Sequence, residues 1–351
     1  MSEEQPLPAA LPRVQIFCTG GTIAGQASSS TDLSNYNAGT LMGQRLLDGI
    51  PEAQTLAELE VEQVTNLNSA DLGFEDWLEL LCRIDAAFRD DPALAGVVVT
   101  HGTNTIDETA YFLNLTLPHD RPVVLVGAMR PATALSADGP LNLFQAIQVA
   151  TSPEARGCGV VVLINEQIHG ARAVSKVFTE GVAAFRSSGC GPLGRIECGE
   201  VRMSHRPRGQ HTTSSWFRLG QAANPLGNTE PKAWPMVEIL YGYVQPSATL
   251  IDALLSAGVR GLVFAGCGAG ALSRFELAAL DDGLARHPGL SPLMLRSSRT
   301  GSGRVPDLPM FTERGIHAAD DLNPQKARIL LLLMLLHGLD HEAIAEAVRL
   351  H

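Results

Sequence analysis

The sequence has no surplus of positive charge: 26 Lys and Arg residues stand against 37 Asp and Glu residues, a formal net charge of −11. Basic side chains hold nucleic acids and anionic membrane surfaces, so we expect neither as a partner. Long hydrophobic runs are also missing. The longest run, residues 329–336, is far shorter than the roughly 20 residues of a membrane-spanning helix and predicts a core helix.

Signals for secretion, disulfides and metal are lacking as well. The first eleven residues are acidic and rich in Pro and Ala, without the cationic and apolar stretches of a signal peptide, which predicts a cytoplasmic protein. The six cysteines show no CxxC spacing, so we expect all of them to be reduced. The ten histidines give no clear metal-ligand pattern, so we predict no metal site.

The composition is that of a loop-rich globular enzyme, with 45% hydrophobic and 18% charged residues, 34 Gly and 21 Pro. A length of 351 residues favours two domains. Residues 204–235 are polar and rich in Ser, Thr, Gly, Pro and Asn, as in a linker. We therefore predict an N-terminal α/β domain over residues 1–203, a linker over 204–235 and a smaller α/β domain over 236–351.

Short β-branched runs alternate with helical patterns along the first domain. Such an alternation predicts an α/β fold with a flavodoxin- or Rossmann-like parallel sheet covered on both faces. The loops beyond the carboxyl ends of such strands are where ligands bind. The predicted strands are residues 14–17, 61–64, 97–100, 123–126 and 160–164.

The first strand leads into Thr19-Gly20-Gly21-Thr22-Ile23-Ala24-Gly25. A dinucleotide fingerprint fails because Thr stands where its second glycine is needed, and a P-loop fails because Gln26-Ala27 follow the last glycine. With both phosphate-binding motifs excluded, the remaining functional group in this turn is the Thr22 hydroxyl, a candidate nucleophile at the carboxyl end of a strand. The alternative is that this threonine only caps or bonds the backbone of the turn.

The loop after residues 97–100 carries His101, Thr103 and Asn104 and is followed by Thr105-Ile106-Asp107-Glu108, the pattern of a capping box. Thr103 and Asn104 therefore precede a helix N-terminus, which favours a bound carboxylate or oxyanion. The alternative is that both only cap the helix. We interpret His101 as structural.

Two further loops carry polar side chains. Ser69 and Asp71 follow residues 61–64 and are by default helix caps, and Lys176 lies beyond residues 160–164 and is by itself a solvated surface charge. Because all these loops follow strands of one predicted sheet, Thr22, Ser69, Thr103, Asn104 and Lys176 can line one crevice.

Together these segments resemble the bacterial L-asparaginase and glutaminase-asparaginase family, over nearly the whole chain. The segments that match are residues 19–25, 101–111, 126–131, 136–143, 191–194, 296–299 and 323–328, among them Gly127-Ala128-Met129-Arg130-Pro131 and Ser136-Ala137-Asp138-Gly139-Pro140.

The resemblance implies an amidohydrolase of two-domain subunits that form a homotetramer, a dimer of dimers, with a small-molecule amide as substrate and no cofactor or metal. Thr22 matches the family's nucleophile and Tyr36 the tyrosine that assists it. Thr103 and Lys176 match a second threonine and its lysine, and Ser69 matches the serine that holds the substrate's α-carboxylate.

Elementary chemistry agrees with those roles. A threonine hydroxyl is inert at its free pKa and needs a base, which a desolvated neutral lysine such as Lys176 can be. Backbone N–H groups would hold the tetrahedral oxyanion, and we expect them at Thr103 and Ala128.

The chain departs from the family around the substrate's α-ammonium group. Asn104 stands where the family has Asp, Ala70 where it has Gln or Glu, and Ala271 where it has Asn. The glutamate that the family donates across a subunit interface has no clear counterpart within residues 307–313. The default prediction is hydrolysis of L-asparagine to L-aspartate and ammonia, weak or with an altered substrate preference.

Two alternatives stay open at this stage. Asn104 and Ala70 favour an impaired binding or sensing protein for aspartate-like ligands. A nucleotide-binding α/β protein is disfavoured by the failed fingerprints.

Overall fold

A computed structural model describes residues 10–220, 226 and 230–351. Most of the acidic first eleven residues and part of the predicted linker therefore lie outside the described residues. The strands are β1 (Arg13–Gly20), β2 (Gln26–Ala27), β3 (Tyr36–Asn37), β4 (Glu58–Leu67), β5 (Leu94–Thr100), β6 (Val123–Val126), β7 (Val160–Ile164), β8 (Gln167–Gly170), β9 (Val174–Lys176), β10 (Phe185–Ser187), β11 (Gly194–Glu197), β12 (Glu200–Met203), β13 (Val237–Tyr241), β14 (Gly261–Gly266), β15 (Leu293–Ser298) and β16 (Ile316–Ala318). The helices are α1 (Gly43–Asp48), α2 (Phe74–Asp90), α3 (Ile106–Thr116), α4 (Gly139–Thr151), α5 (Ala248–Ser256), α6 (Arg274–Arg286), α7 (Pro309–Thr312), α8 (Pro324–Leu336) and α9 (Ile344–Leu350).

The large sheet has the order β12-β11-β8-β7-β6-β5-β1-β4. Five neighbouring strands of this sheet are parallel, namely β4, β1, β5, β6 and β7. If these five are renumbered in chain order, their spatial order from the β4 edge is 2-1-3-4-5, which is the flavodoxin-like order. The α/β prediction is confirmed.

The sheet is parallel-rich rather than wholly parallel, because β8, β11 and β12 join it in antiparallel pairs. Asn165 and Glu166 connect β7 to β8 with φ of 49° and 62°. Left-handed backbone at both residues of a two-residue loop is the geometry of a tight hairpin turn. The chain therefore turns back here instead of crossing over through a helix.

Both faces of the large sheet are buried, which explains its continuous apolar strands. Val97 and Val99 face the core that contains α2 and α3, while Val98 faces the core that contains α4. Side chains alternate along a strand, so a strand covered on both sides is apolar at every position.

A separate, smaller parallel sheet, in the order β13-β14-β15-β16, forms the second domain. Helix α8 packs on β13, β14 and β15 and also contacts α3 of the first domain. Its residues 329–334 are fully buried, as expected for a helix that is apolar on all sides. The residue boundaries of the linker, 204–235, stay a prediction. None of the helices among the described residues is long and apolar enough to traverse a bilayer.

Two short antiparallel ribbons lie outside both large sheets: β2 with β3, and β9 with β10. Tyr36 belongs to the first ribbon, and Lys176 is the last residue of β9 in the second. Through these ribbons, Tyr36 and Lys176 approach the carboxyl end of the large sheet, although neither residue belongs to a strand of that sheet.

Candidate active site

A cavity of about 450 Å³ opens at the carboxyl ends of β1, β4 and β5. The strand order reverses between β1 and β5, and such a switch point leaves a crevice between neighbouring loops. The lining residues are Gly21, Thr22, Ser34, Tyr36, Asn37, Ala38, Asn66, Leu67, Asn68, Ser69, Asp71, Gly102, Thr103 and Asn104.

Glycine allows the three loops to meet at backbone distance. Gly21 has a φ of +81°, and a Cβ atom placed on it would lie 2.3 Å from Cα of Gly102. A Cβ on Gly102 would in turn lie 2.6 Å from Oγ of Ser69. No other residue fits either position without moving a neighbouring loop, so the glycines fix how close Thr22, Ser69 and Thr103 come.

Gly21→Ala is therefore expected to destabilise the fold by about 1–3 kcal/mol and to lower catalytic activity. Gly199→Ala is the matched control, because Gly199 has the same φ of +81° but no heavy atom within 4 Å of an added Cβ. Thermal unfolding and ammonia release separate the two effects. Equal losses in both variants would mean that backbone strain, and not loop contact, is what matters.

Thr22 and Tyr36 form a hydroxyl pair. Their Oγ1 and OH atoms are 2.7 Å apart, and Thr22 is 8% exposed. Tyr36 is held there by the β2–β3 pairing of Ala27 with Tyr36, and its ring lies against Gly25. Thr22 sits in a short 3₁₀ turn, where its side chain bonds Tyr36 rather than capping the turn.

Lys176 approaches the cavity from β9. Its Nζ donates to Oγ1 of Thr103 at 2.9 Å and lies 3.4 Å from Oδ1 of Asn104. Burial lowers the pKa of Lys176, while the charge of Asp107 acts in the opposite direction. The interpretation of Lys176 as a solvated surface charge is wrong, because the separate ribbon turns it inward onto the loop after β5.

The loop after β5 also corrects the predicted capping box. Thr105 is the N-cap of α3, but its side chain makes no cap bond and its Oγ1 donates instead to the carbonyl oxygen of Ser69 at 2.7 Å. Neither Thr103 nor Asn104 caps the helix. Asn104 uses its Nδ2 group to reach Oδ1 of Asn68 at 3.2 Å, which ties the loops after β4 and β5 together.

Ser69 is not a cap either. Asn68 caps the short turn of residues 69–71 by accepting from the N–H of Ala70, and Gly73 is the N-cap of α2. The Ser69 Oγ is buried and has no hydrogen-bond partner in the described structure. A buried hydroxyl without a partner is costly, so it is well suited to a polar ligand group.

Ala128 is buried in the loop after β6. Both carboxylate oxygens of Asp138 hold this loop, accepting from the N–H groups of Met129 and Arg130 at 2.9 Å. Within the described residues the N–H groups of Thr103 and Ala128 have no hydrogen-bond acceptor. They are free for an oxygen that carries negative charge.

The other singled-out positions lie outside this cavity. Ala70 lines a neighbouring cavity of about 270 Å³ with Phe74 and Trp77. Ala271 pairs with Cys267 in the loop after β14. His101 is fully buried, donates from Nδ1 to the carbonyl oxygen of Gly102 at 2.8 Å, and has its pKa lowered by burial to about 4, so it is neutral at neutral pH.

Sequence reasoning gave no role to several cavity residues, chiefly Ser34, Asn37, Asn66 and Asn68. The signal for two of them was the run Thr65-Asn66-Leu67-Asn68, whose amides are typical of turns and of ligand contacts alike. Among the described residues no group of three or more His, Cys, Asp or Glu side chains could hold a metal ion.

Comparisons with known proteins identify the family. The family model "Asparaginase, N-terminal" matches residues 13–209, and "Glutaminase/Asparaginase C-terminal domain" matches residues 236–348. "L-asparaginase 2" of Bacillus subtilis is 39% identical over 95% of this chain and 85% of its own length. "Probable L-asparaginase periplasmic" of Haemophilus influenzae is 40% identical over 96% of this chain and 93% of its own length.

A solved structure agrees with the sequence relatives. The crystal structure of "Probable Cytoplasmic L-asparaginase" from Campylobacter jejuni superimposes with a TM-score of 0.89 at 39% identity, covering 97% of this chain and 100% of its own. The fold and these relatives define an α/β amidohydrolase. The chain belongs to the asparaginase family, as the sequence resemblance indicated. The sensing alternative finds no support in these relatives.

Proposed function

We propose that this protein hydrolyses L-asparagine to L-aspartate and ammonia, with Thr22 as nucleophile. One observation carries the proposal: the hydroxyls of Thr22 and Thr103, each with its own polar partner, line the same cavity. Pairing a weak nucleophile with a group that can move its proton is how hydroxyl nucleophiles are activated.

The chemistry takes two steps. Oγ1 of Thr22 bonds to the amide carbon, its proton passes to the departing nitrogen, and the C–N bond breaks to release ammonia and leave an ester on Thr22. A water oxygen then bonds to the same carbon, the ester bond breaks, and the proton returns to Thr22. Neutral Lys176, bonded to Thr103, is the base that moves protons in this scheme.

Negative charge develops on the carbonyl oxygen in both steps. The N–H groups of Thr103 and Ala128, which have no acceptor among the described residues, are the proposed donors to it. Ser69, with its unpartnered Oγ, is the proposed donor to the substrate's α-carboxylate. These roles match those that the family resemblance implies.

The lining of the cavity is poor in negative charge. Among the described lining residues Asp71 is the one carboxylate, whereas four are asparagines. A carboxylate partner to a bound ammonium contributes about 1.5–3 kcal/mol, so its absence weakens binding by roughly tenfold to a hundredfold. We therefore propose weak affinity for free asparagine and a preference for amides without a free α-ammonium group.

Kinetics on a panel of amides tests this preference. We expect ammonia release from asparagine, glutamine and succinamate, with the highest kcat/KM for succinamate, which lacks the α-ammonium. High affinity for asparagine would contradict the altered preference but leave the amidohydrolase assignment intact. Ligand binding heat without any ammonia would support the sensing alternative instead.

Asn104→Asp is the sharpest variant for the same question. It adds a carboxylate of the same size at 3.4 Å from the Lys176 amine. We expect a lower KM for asparagine, little change for succinamate, and a rise in the pKa of Lys176 that moves the acidic limb of the rate profile to higher pH.

The assembly and the location are also proposals. Large apolar side chains are exposed around β13, α5 and α6, namely Tyr241, Tyr243, Val244, Leu250 and Phe275. Exposed apolar surface of this kind supports association between copies, and we propose a homotetramer. A cytoplasmic location stays a prediction, since one relative above is named as cytoplasmic and another as periplasmic.

A further inference from the structure

Lys176 belongs to β9, a strand that is not part of the large sheet. Among the described strands, β9 pairs with β10 alone, in a two-stranded ribbon with Lys176 opposite Phe185. Ribbons of two strands are marginally stable by themselves. The 2.9 Å contact between Lys176 and Thr103 therefore depends on whatever else fixes β9.

Helix α8 of the smaller domain supplies one fixed side. Nζ of Lys326 donates to the carbonyl oxygen of Arg172 at 3.0 Å and to that of Val174, the first residue of β9. At the start of the same helix, Nδ2 of Asn323 donates to Oγ of Ser175 at 3.0 Å. Two residues of β9 are thus tied to a helix about 150 residues away in the chain.

Helix α3 supplies the other side. This helix packs against β9, and burial raises the pKa of Asp107 in its first turn, while the charge of Lys326 and the backbone near Lys176 act to lower that pKa. Asp107 is 8% exposed and Lys326 is 1% exposed. Burying charged groups is costly unless they are satisfied. Here the carbonyls of Arg172 and Val174 accept from the Lys326 ammonium, and the opposite charges of Asp107 and Lys326 attract each other.

Position 326 carries a lysine rather than an arginine or an apolar residue, and this bears on its role. The chain has only three lysines, Lys176, Lys232 and Lys326, against 23 arginines. A compact ammonium on a flexible stem can donate to two neighbouring carbonyls, whereas a planar guanidinium fork is larger and rigid. A residue kept only for packing in this apolar helix would not need the charge.

We propose that Lys326 and Asp107 are positioning residues for Lys176, holding its strand from both sides so that its amine meets Thr103. The inference rests on the proposed function, in which Lys176 is the base. It makes the smaller domain part of the catalytic apparatus, although no residue of α8 lines the cavity.

Asp107 has a second effect on Lys176. Asn104 is neutral, and the charge that acts on the Lys176 ammonium is that of Asp107. Other charged groups near Asp107 and Lys326 are Glu108 on α3, Arg172 ahead of β9 and Asp321. The charge of Lys326 acts on Asp107, and the charges of Glu108, Arg172 and Asp321 act on Lys326. Removing the carboxylate charge lowers the pKa of Lys176, so the acidic limb of kcat moves to lower pH.

The test uses the full chain and the best substrate of the amide panel, with kcat, KM and Tm measured across pH. We expect Lys326→Met to lower kcat by about 10–100-fold with KM changed less than about threefold, because the amine is misplaced while the substrate-binding hydroxyls stay. Asp107→Asn keeps an acceptor oxygen, and we expect it to move the acidic limb down by about half a pH unit or more. Exposed Lys232→Met is the matched control and should leave kcat, KM and pH profile unchanged.

Folding is checked separately. If Lys326→Met does not fold, Lys326→Gln and Ser175→Ala replace it, and each should still lower kcat at nearly constant KM. A lower Tm with unchanged kcat and an unmoved acidic limb would overturn the inference, since that is the signature of a purely structural pair. A wild-type protein that releases no ammonia from any amide would instead overturn the proposed function.

Discussion

Thr22→Ala is expected to abolish ammonia release, lowering kcat by roughly 10⁴-fold or more. The variant removes the Oγ1 atom that forms the ester in the proposed scheme, while Tyr36, Ser69 and Lys176 keep their places. Thr22 packs in a small 3₁₀ turn at the cavity wall, so we expect Tm to fall by only a few degrees.

Two further variants make the result specific. Thr22→Ser keeps the hydroxyl and should retain measurable activity, since its oxygen can still reach Tyr36. Thr55→Ala changes an exposed threonine on a remote turn and should behave as wild type. Activity in Thr22→Ala within tenfold of wild type would remove Thr22 as the nucleophile and leave Thr103 as the remaining hydroxyl.

Lys176→Met is expected to lower kcat by about 10²–10⁴-fold, the usual contribution of a general base. Methionine keeps the length of the side chain and its packing but removes the amine that bonds Thr103. Since Ser69 and Thr22 are untouched, we expect KM to change much less than kcat.

The pH profile gives the second readout for this lysine. Activity needs the neutral amine, so kcat rises as pH rises through the pKa of Lys176. Burial lowers that pKa below the ordinary 10.5, which places the limb at lower pH than for a free lysine. The limb should disappear in Lys176→Met, and a small primary amine added to the variant should restore part of the rate. A limb that persists in Lys176→Met would assign it to another group.

The amino-acid sequence by itself determined the fold class and most of the cavity-lining loops. Strands such as residues 97–99 are apolar at every position, which is what a sheet buried on both faces requires. The loop positions of Thr22, Ser69 and Thr103 followed from the predicted strands ahead of them. These signals are local, so a single sequence carries them.

Tertiary structure alone decided how those loops are combined. The reversal of strand order between β1 and β5 opens the crevice, and nothing in the periodicity of either strand specifies its neighbour. Lys176 meets Thr103 across 73 residues of chain, and Lys326 meets the strand of Lys176 across about 150. Ser69 is not the cap that was expected, because the adjacent Asn68 caps that turn, while Thr105 in the loop after β5 donates to the Ser69 carbonyl oxygen. Contacts between distant segments depend on the whole packed core, so local pattern could name the chemical groups but not their partners.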